Sequence, residues 1–125
     1  MSKKILVVDD DQSFLEELTE FLCLSGYDAM AMSSAFEALK IVVEVKPDLV
    51  LLDLKMPAKS GFQLAGEIRA MPGFSKVPIF AMSAFVQEET APFLSLCGID
   101  KYMKKPFSPA RLVEEIEKIF KSVDR

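Results

Sequence analysis

Histidine and tryptophan are both absent from the 125 residues of this chain. Without an imidazole, no Ser-His-Asp or Cys-His nucleophile can be assembled, and no zinc or haem site with a histidine ligand. Cysteine is scarce. Cys23 and Cys97 stand far apart with no CxxC pairing, so two reduced thiols packed as small hydrophobes are expected rather than a disulfide framework. Long apolar runs are also missing. Met1-Ser2-Lys3-Lys4 leads straight into Ile5-Leu6-Val7-Val8, and Asp9-Asp10-Asp11 cuts that run far short of a signal-peptide core or a membrane span. There is no basic excess: 15 lysines and arginines against 19 acidic residues leave a net charge of -4. That balance argues against direct nucleic-acid contact, since neutralising phosphates takes a lysine- and arginine-rich face. The expectation is a soluble, cytoplasmic domain with neither nucleic acid nor membrane as a direct partner.

What is present is apolar: half of the residues are hydrophobic. The length fits one domain spanning residues 1–125, able to bury roughly two thirds of its unfolded surface in one core. Ile5 to Val8, Leu49 to Leu52 and Ile79 to Met82 are continuous apolar runs, each closed by a polar residue. Uninterrupted runs of this kind suit strands of a parallel sheet covered by helices on both faces. Tyr27 to Met32 and Asp100 to Met103 are more mixed in character, as edge strands are.

The stretches between the runs carry helix signals. Ser34-Ala35-Phe36-Glu37 and Ser60-Gly61-Phe62-Gln63 read as capping boxes, with Ser13-Phe14-Leu15-Glu16 as a third candidate. Phe14, Leu18, Phe21 and Leu22 form one apolar stripe, stopped by Ser25-Gly26. Leu39, Val42 and Val43 form a second, closed by Pro47, and Leu64, Ile68 and Met71 a third, closed by Pro72-Gly73. Ser108-Pro109 opens a last helix with Leu112, Ile116, Ile119 and Phe120 inward and Glu114, Glu115, Lys118 and Lys121 outward. Pro92 cannot sit in a helix interior without costing about 3 kcal/mol. It fits a short helix that begins at Ala91 behind a Thr90 cap. Five β-α units in order predict a three-layer α/β sandwich with right-handed crossovers.

Ligands of an open parallel sheet bind beyond the carboxyl ends of its strands. Those ends carry Asp9-Asp10-Asp11, Asp53, Ser83 and Lys104-Lys105. Any one of the aspartates would serve equally well as a solvated helix cap. Asp10, Asp53, Ser83 and Lys105 gathered at one edge point to more. Clustered carboxylates repel unless a cation sits among them, and an all-oxygen set without histidine or thiolate suits Mg²⁺ or Mn²⁺. A hard ion of that kind serves phosphate chemistry, with a lysine as second positive charge. Other phosphate sites fail on specific residues. Gly61 and Gly66 have P-loop spacing, but Glu67 follows where lysine is required, and no GxGxxG exists.

Four segments together resemble the signatures of response-regulator receiver domains: Ile5 to Asp11, Asp48 to Pro57, Ser83-Ala84, and Tyr102-Met103-Lys104-Lys105-Pro106-Phe107. The resemblance covers essentially the whole chain, and the intervals from Asp10 to Asp53 to Ser83 to Lys105 match the family's. It implies the flavodoxin-like (CheY-like) doubly wound five-stranded sheet of strand order 2-1-3-4-5. It also implies that Asp53 is the phosphoacceptor, attacking a phosphohistidine on a sensor histidine kinase or histidine phosphotransfer protein. Asp10 and Asp53 would hold Mg²⁺ with the main-chain carbonyl of Lys55, and Asp9 would assist. Lys105, aimed by a cis peptide bond to Pro106, would neutralise a phosphoryl oxygen, and Lys104 is the rival lysine. Ser83 stands where the family more often has threonine. Tyr102 matches the aromatic switch position, with the fourth helix, fifth strand and fifth helix as readout surface. Lys55 and Phe85, each two residues past a signature residue, would tune the lifetime of the acyl phosphate, the bulky Phe85 by hindering the attacking water.

A phosphoacceptor switch is therefore expected rather than a turnover enzyme. A degenerate receiver serving only as a docking module would lack part of the site. A small aspartate-based phosphatase would want a second aspartate two positions after Asp53, where Lys55 stands. The output would be a downstream protein target or a fused output domain, with a phosphorylation-dependent dimer as a further possibility. The last residues, Lys121 to Arg125, fit a stand-alone receiver or one cut from a longer regulator.

Overall fold

Strands whose residues are apolar on both sides must be covered on both sides, and the chain meets that requirement with a central sheet between two helix layers. The computed structural model describes residues 2–56, 59–84 and 91–123. Five parallel strands, β1 (Lys4–Val8), β2 (Asp28–Met32), β3 (Leu49–Asp53), β4 (Ile79–Ser83) and β5 (Lys101–Lys104), lie in the order β2-β1-β3-β4-β5. Between and after them run α1 (Gln12–Leu24), α2 (Ala35–Val45), α3 (Gly61–Ala70), α4 (Ala91–Leu96) and α5 (Pro109–Val123). The order is the doubly wound one expected, with the two mixed strands at the edges. Phe85 and the cap expected at Thr90 lie outside the described residues.

Strand alternation divides the core in two. Ile5, Val7, Leu49, Leu51, Phe80, Met82 and Met103 pack with Leu15, Leu18 and Leu22 of α1 and with Leu112, Ile116 and Phe120 of α5. Leu6, Val8, Val50, Leu52, Ile79 and Ala81 pack on the other side with residues of α2, α3 and α4. Each buried Val, Leu or Ile stabilises this arrangement by about 1.5–3 kcal/mol. Asp53 continues the alternation of Leu49 and Leu51, which carries it to the α1/α5 side. Ser83 continues that of Ile79 and Ala81, which carries it to the opposite side.

Serine hydroxyls cap three helices as read from the sequence. Ser34 accepts from the N–H of Glu37 at 3.4 Å, Ser60 from Gln63 at 3.2 Å, and Ser108 from Arg111 at 3.0 Å. The third candidate box is not used: Asp11 caps α1, its carboxylate accepting from the N–H of Phe14 at 3.2 Å, and Ser13 lies inside the helix. A carboxylate in that place is also favoured by the helix dipole.

Other boundaries move for local reasons. Tyr27 belongs to the turn closing α1, its N–H on the carbonyl of Leu22, with Gly26 before it at a φ of 98°. Asp100 precedes β5 instead of opening it, because its carboxylate is held by the N–H of Ile79 and by Arg69. Val43 is 50% exposed; Ala35, Ala38 and Val42 face the sheet in α2, where small side chains allow close approach. Glu115 is drawn off the solvent face by Lys101 of β5, 2.7 Å away. Hydrogen bonding to Lys101 holds its carboxyl below the usual range. Cys23 is exposed rather than packed, Cys97 lies against the core, and neither is in a disulfide.

Candidate functional site

The site forms where β1 and β3 end, because both strands finish on carboxylates. Asp9 is fully buried. Its Oδ1 accepts from the N–H of Asp11 at 3.0 Å and its Oδ2 from Lys105 Nζ at 2.6 Å. Asp10, next along, is exposed. Asp53 is 7% exposed and accepts from the N–H of Lys55 at 3.4 Å. One oxygen from each of Asp9, Asp10 and Asp53 falls within 4.8 Å of the others. Like charges so close demand a counter-charge, and the all-oxygen donor set fits a hard divalent cation.

Asp53 records that electrostatic load. Its carboxyl is pushed above the ordinary range, first by burial and then by the charge of Asp9, with a smaller push from Asp10. The Lys105 ammonium and the Lys55 N–H act in the opposite direction. A cation bound among the three carboxylates would add to that opposing side.

Ser83 and Lys105 are brought to the same edge by β4 and β5. Ser83 is 3% exposed, and its carbonyl accepts from the N–H of Lys105 at 2.9 Å. The Lys105–Pro106 peptide is cis, and of the two rival lysines it is Lys105 that enters the site while Lys104 is exposed. Tyr102 is half-buried on the α2–α4 side, the side of Ser83. It lines a cavity of about 730 Å³ with Arg69, Leu94 and Ile99. In register, Tyr102 lies beside Ala81, two residues before Ser83. The side chain of Lys55 is exposed, and Phe85 lies outside the described residues.

Sequence reasoning missed two contributors. Lys59 is 9% exposed and pairs with Glu67 at 2.9 Å, its ammonium 4.9 Å above the ring of Phe36. It lines a small cleft with Asp10 and Met56. Phe14, which the helical pattern assigned simply to an apolar stripe, lies 4.1 Å from Lys105 Nζ to its ring centroid. Neither signal is local: each contact joins side chains from different elements.

Residues 5–117 match the sequence profile of the response regulator receiver domain. The chain is 39% identical over 116 residues to the DNA-binding response regulator MtrA of Mycobacterium tuberculosis (strain ATCC 25618 / H37Rv), covering 93% of this chain and 50% of that protein. It is 38% identical over 122 residues to the alkaline phosphatase synthesis transcriptional regulatory protein PhoP of Bacillus subtilis (strain 168), covering 97% and 50%. The chain thus spans about half the length of the curated relatives it matches. Among solved structures, a CheY-like response regulator receiver domain protein from Methanospirillum hungatei JF-1 superposes with a TM-score of 0.90 at 26% identity. That match covers 98% of this chain and 96% of the other.

Proposed function

The chain belongs to the response regulator receiver domain family, and from that premise we propose that residues 1–125 are a phosphoacceptor switch of a two-component phosphorelay. The observation that carries the reading is Asp53, a buried carboxylate at the end of β3 with two further aspartates and the Lys105 ammonium beside it.

An oxygen of Asp53 attacks the phosphorus of a phosphohistidine on a sensor histidine kinase or phosphotransfer protein. The new O–P bond makes an acyl phosphate, the N–P bond breaks, and the imidazole of the partner leaves with the electron pair and takes up a proton. Asp10, Asp53 and the main-chain carbonyl of Lys55 would hold Mg²⁺ or Mn²⁺, with Asp9 assisting, and the ion would supply charge neutralisation for carboxylates and phosphoryl oxygens. Lys105 offers a compact positive charge to a phosphoryl oxygen. Ser83 donates its hydroxyl to another, and that pull is transmitted to Tyr102, which lies on the same side of the sheet. The readout surface is α4, β5 and α5. Lys55 and Phe85 set the lifetime of the acyl phosphate.

The protein is a switch rather than a turnover enzyme. No helix among the described residues is long and apolar enough to cross a membrane, and we place the switch in the cytoplasm. The net charge of -4 favours output through a protein target, a fused output domain or a phosphorylation-dependent dimer over direct DNA contact by this domain. DNA binding is named for MtrA, a protein about twice as long. Incubation with acetyl phosphate and Mg²⁺ followed by intact-mass measurement tests the reading. One phosphoryl adduct is expected, and none in Asp53→Asn. No adduct, or one that survives the substitution, refutes it.

A further inference from the structure

We propose that Phe14 is a positioning residue for phosphoryl transfer, its ring holding the Lys105 ammonium ready for the incoming phosphoryl group. The inference rests on the phosphoacceptor reading and adds a residue to it. Lysine carries its charge on a flexible four-carbon stem, and fixing that stem costs rotamer entropy. Something must hold it if the charge is to be in place before the phosphoryl group arrives. Asp9 supplies one contact, at 2.6 Å. The ring of Phe14 supplies the other, with Nζ 4.1 Å from its centroid, well inside the range of a cation–π attraction.

The ring is itself held. Phe107 stands edge-on to it, with centroids 6.0 Å apart and planes at 87°. The backbone N–H of Phe14 is fixed by Asp11, the cap that directly follows Asp9 and Asp10. The side chain of Lys105 is 20% exposed, so the contact is partly shielded from water. The chemistry of the holder matters as well. A second carboxylate would occupy another of the three N–H donors and compete with a phosphoryl oxygen for the charge. An aromatic face attracts the cation without taking a strong hydrogen bond from it. Asp9 and Phe14 together therefore immobilise the ammonium while leaving it donors to offer.

The test uses the full chain with acetyl phosphate and Mg²⁺, where Asp53 takes the phosphoryl group and acetate leaves with the electron pair. Phe14→Leu keeps the apolar bulk and removes the ring face; Phe14→Tyr keeps the ring. Two quantities are read: the rate constant of phosphorylation, and the NMR shift of the Lys105 ε-methylene protons, which a ring face moves upfield. Phe14→Leu is expected to slow phosphorylation roughly three- to tenfold, as loss of a partly shielded cation–π contact implies, and to abolish the upfield shift. Phe14→Tyr is expected to restore both, and Phe14→Leu to cause no further loss in a Lys105→Met background. A parent rate in Phe14→Leu, a loss that persists without Lys105, or a parent protein lacking the upfield shift overturns the proposal while leaving the phosphoacceptor reading intact. A parent protein that gains no phosphoryl group at all overturns both.

Discussion

Adding a single methyl group at two positions of α3 should move stability in opposite directions. Gly61 opens the helix directly against the end of β3. A Cβ there would collide with the backbone carbonyl of Asp53 and come within 2.8 Å of Leu52 Cδ1 and of Leu54 Cα. Two of those three atoms are backbone, so no side-chain rotation relieves the clash. Overpacking of this kind costs about 1–3 kcal/mol, and a rigid obstacle places Gly61→Ala at the upper end. The gain from replacing glycine by alanine in a helix returns at most about 1 kcal/mol. The net expectation is a loss of about 2 kcal/mol, or roughly 6–10 °C in Tm for a domain of this size. Because the obstructed carbonyl belongs to Asp53, phosphorylation by acetyl phosphate should slow as well. Gly66, one turn further and exposed, has nothing within 4 Å of a built Cβ. Gly66→Ala should therefore stabilise by about 0.5–1 kcal/mol. Thermal and urea unfolding followed by circular dichroism reads both. If Gly61→Ala is as stable as the parent, or if both variants lose stability equally, the steric argument is wrong.

Two further perturbations follow from charge. Burial and Asp9 raise the Asp53 carboxyl in the folded chain, so the folded form binds that proton more tightly than the unfolded one. The associated stability is complete below the unfolded value and is lost as pH rises through the folded value. Asp53→Asn should therefore melt above the parent at pH 7 in chelator, with the gap closing below about pH 4; a lower melting temperature at pH 7 would contradict it. Mg²⁺ should raise the Tm of the parent by more than that of Asp53→Asn. Arg69 donates to the carbonyls of Gly98, Phe74 and Val77 and to the Asp100 carboxylate. Arg69→Lys cannot serve all four, and should cost about 2–4 kcal/mol as a lower urea midpoint at unchanged slope. A cost under about 0.5 kcal/mol, the range of an ordinary surface change, would show that these bonds are not holding the edge.

The strand ends were legible because nothing in Leu49 to Leu52 or Ile79 to Met82 interrupts the apolar pattern, so Asp53 and Ser83 had to stand at the exits. Helix faces were less legible. Pattern reading weights large side chains, and it placed Val43 inward where Ala35 and Ala38 are the residues that allow α2 to approach the sheet. The sequence offered Asp9, Asp53 and Lys105 as separate candidates at the strand ends, but not the grip of Lys105 on Asp9, a bond between residues far apart in the chain. Lys59 and Phe14 were invisible for the same reason. A buried lysine is identified by its partner, here Glu67, and a lysine-holding ring by a lysine that only the fold delivers.

The clamp at Arg69 gives β5 a mechanical character. The strand enters the sheet with Asp100 tied to Ile79 on one side and to Arg69 on the other, and Arg69 is anchored in turn to three carbonyls. It leaves with the N–H of Lys105 on the carbonyl of Ser83. A pull applied at Ser83 or Lys105 therefore acts roughly 16 Å from the brace at Asp100, on an end held by the Ser83 carbonyl and the Asp9 carboxylate. Tyr102 lies between the two ends, and the end of α3 that carries Arg69 is part of the brace.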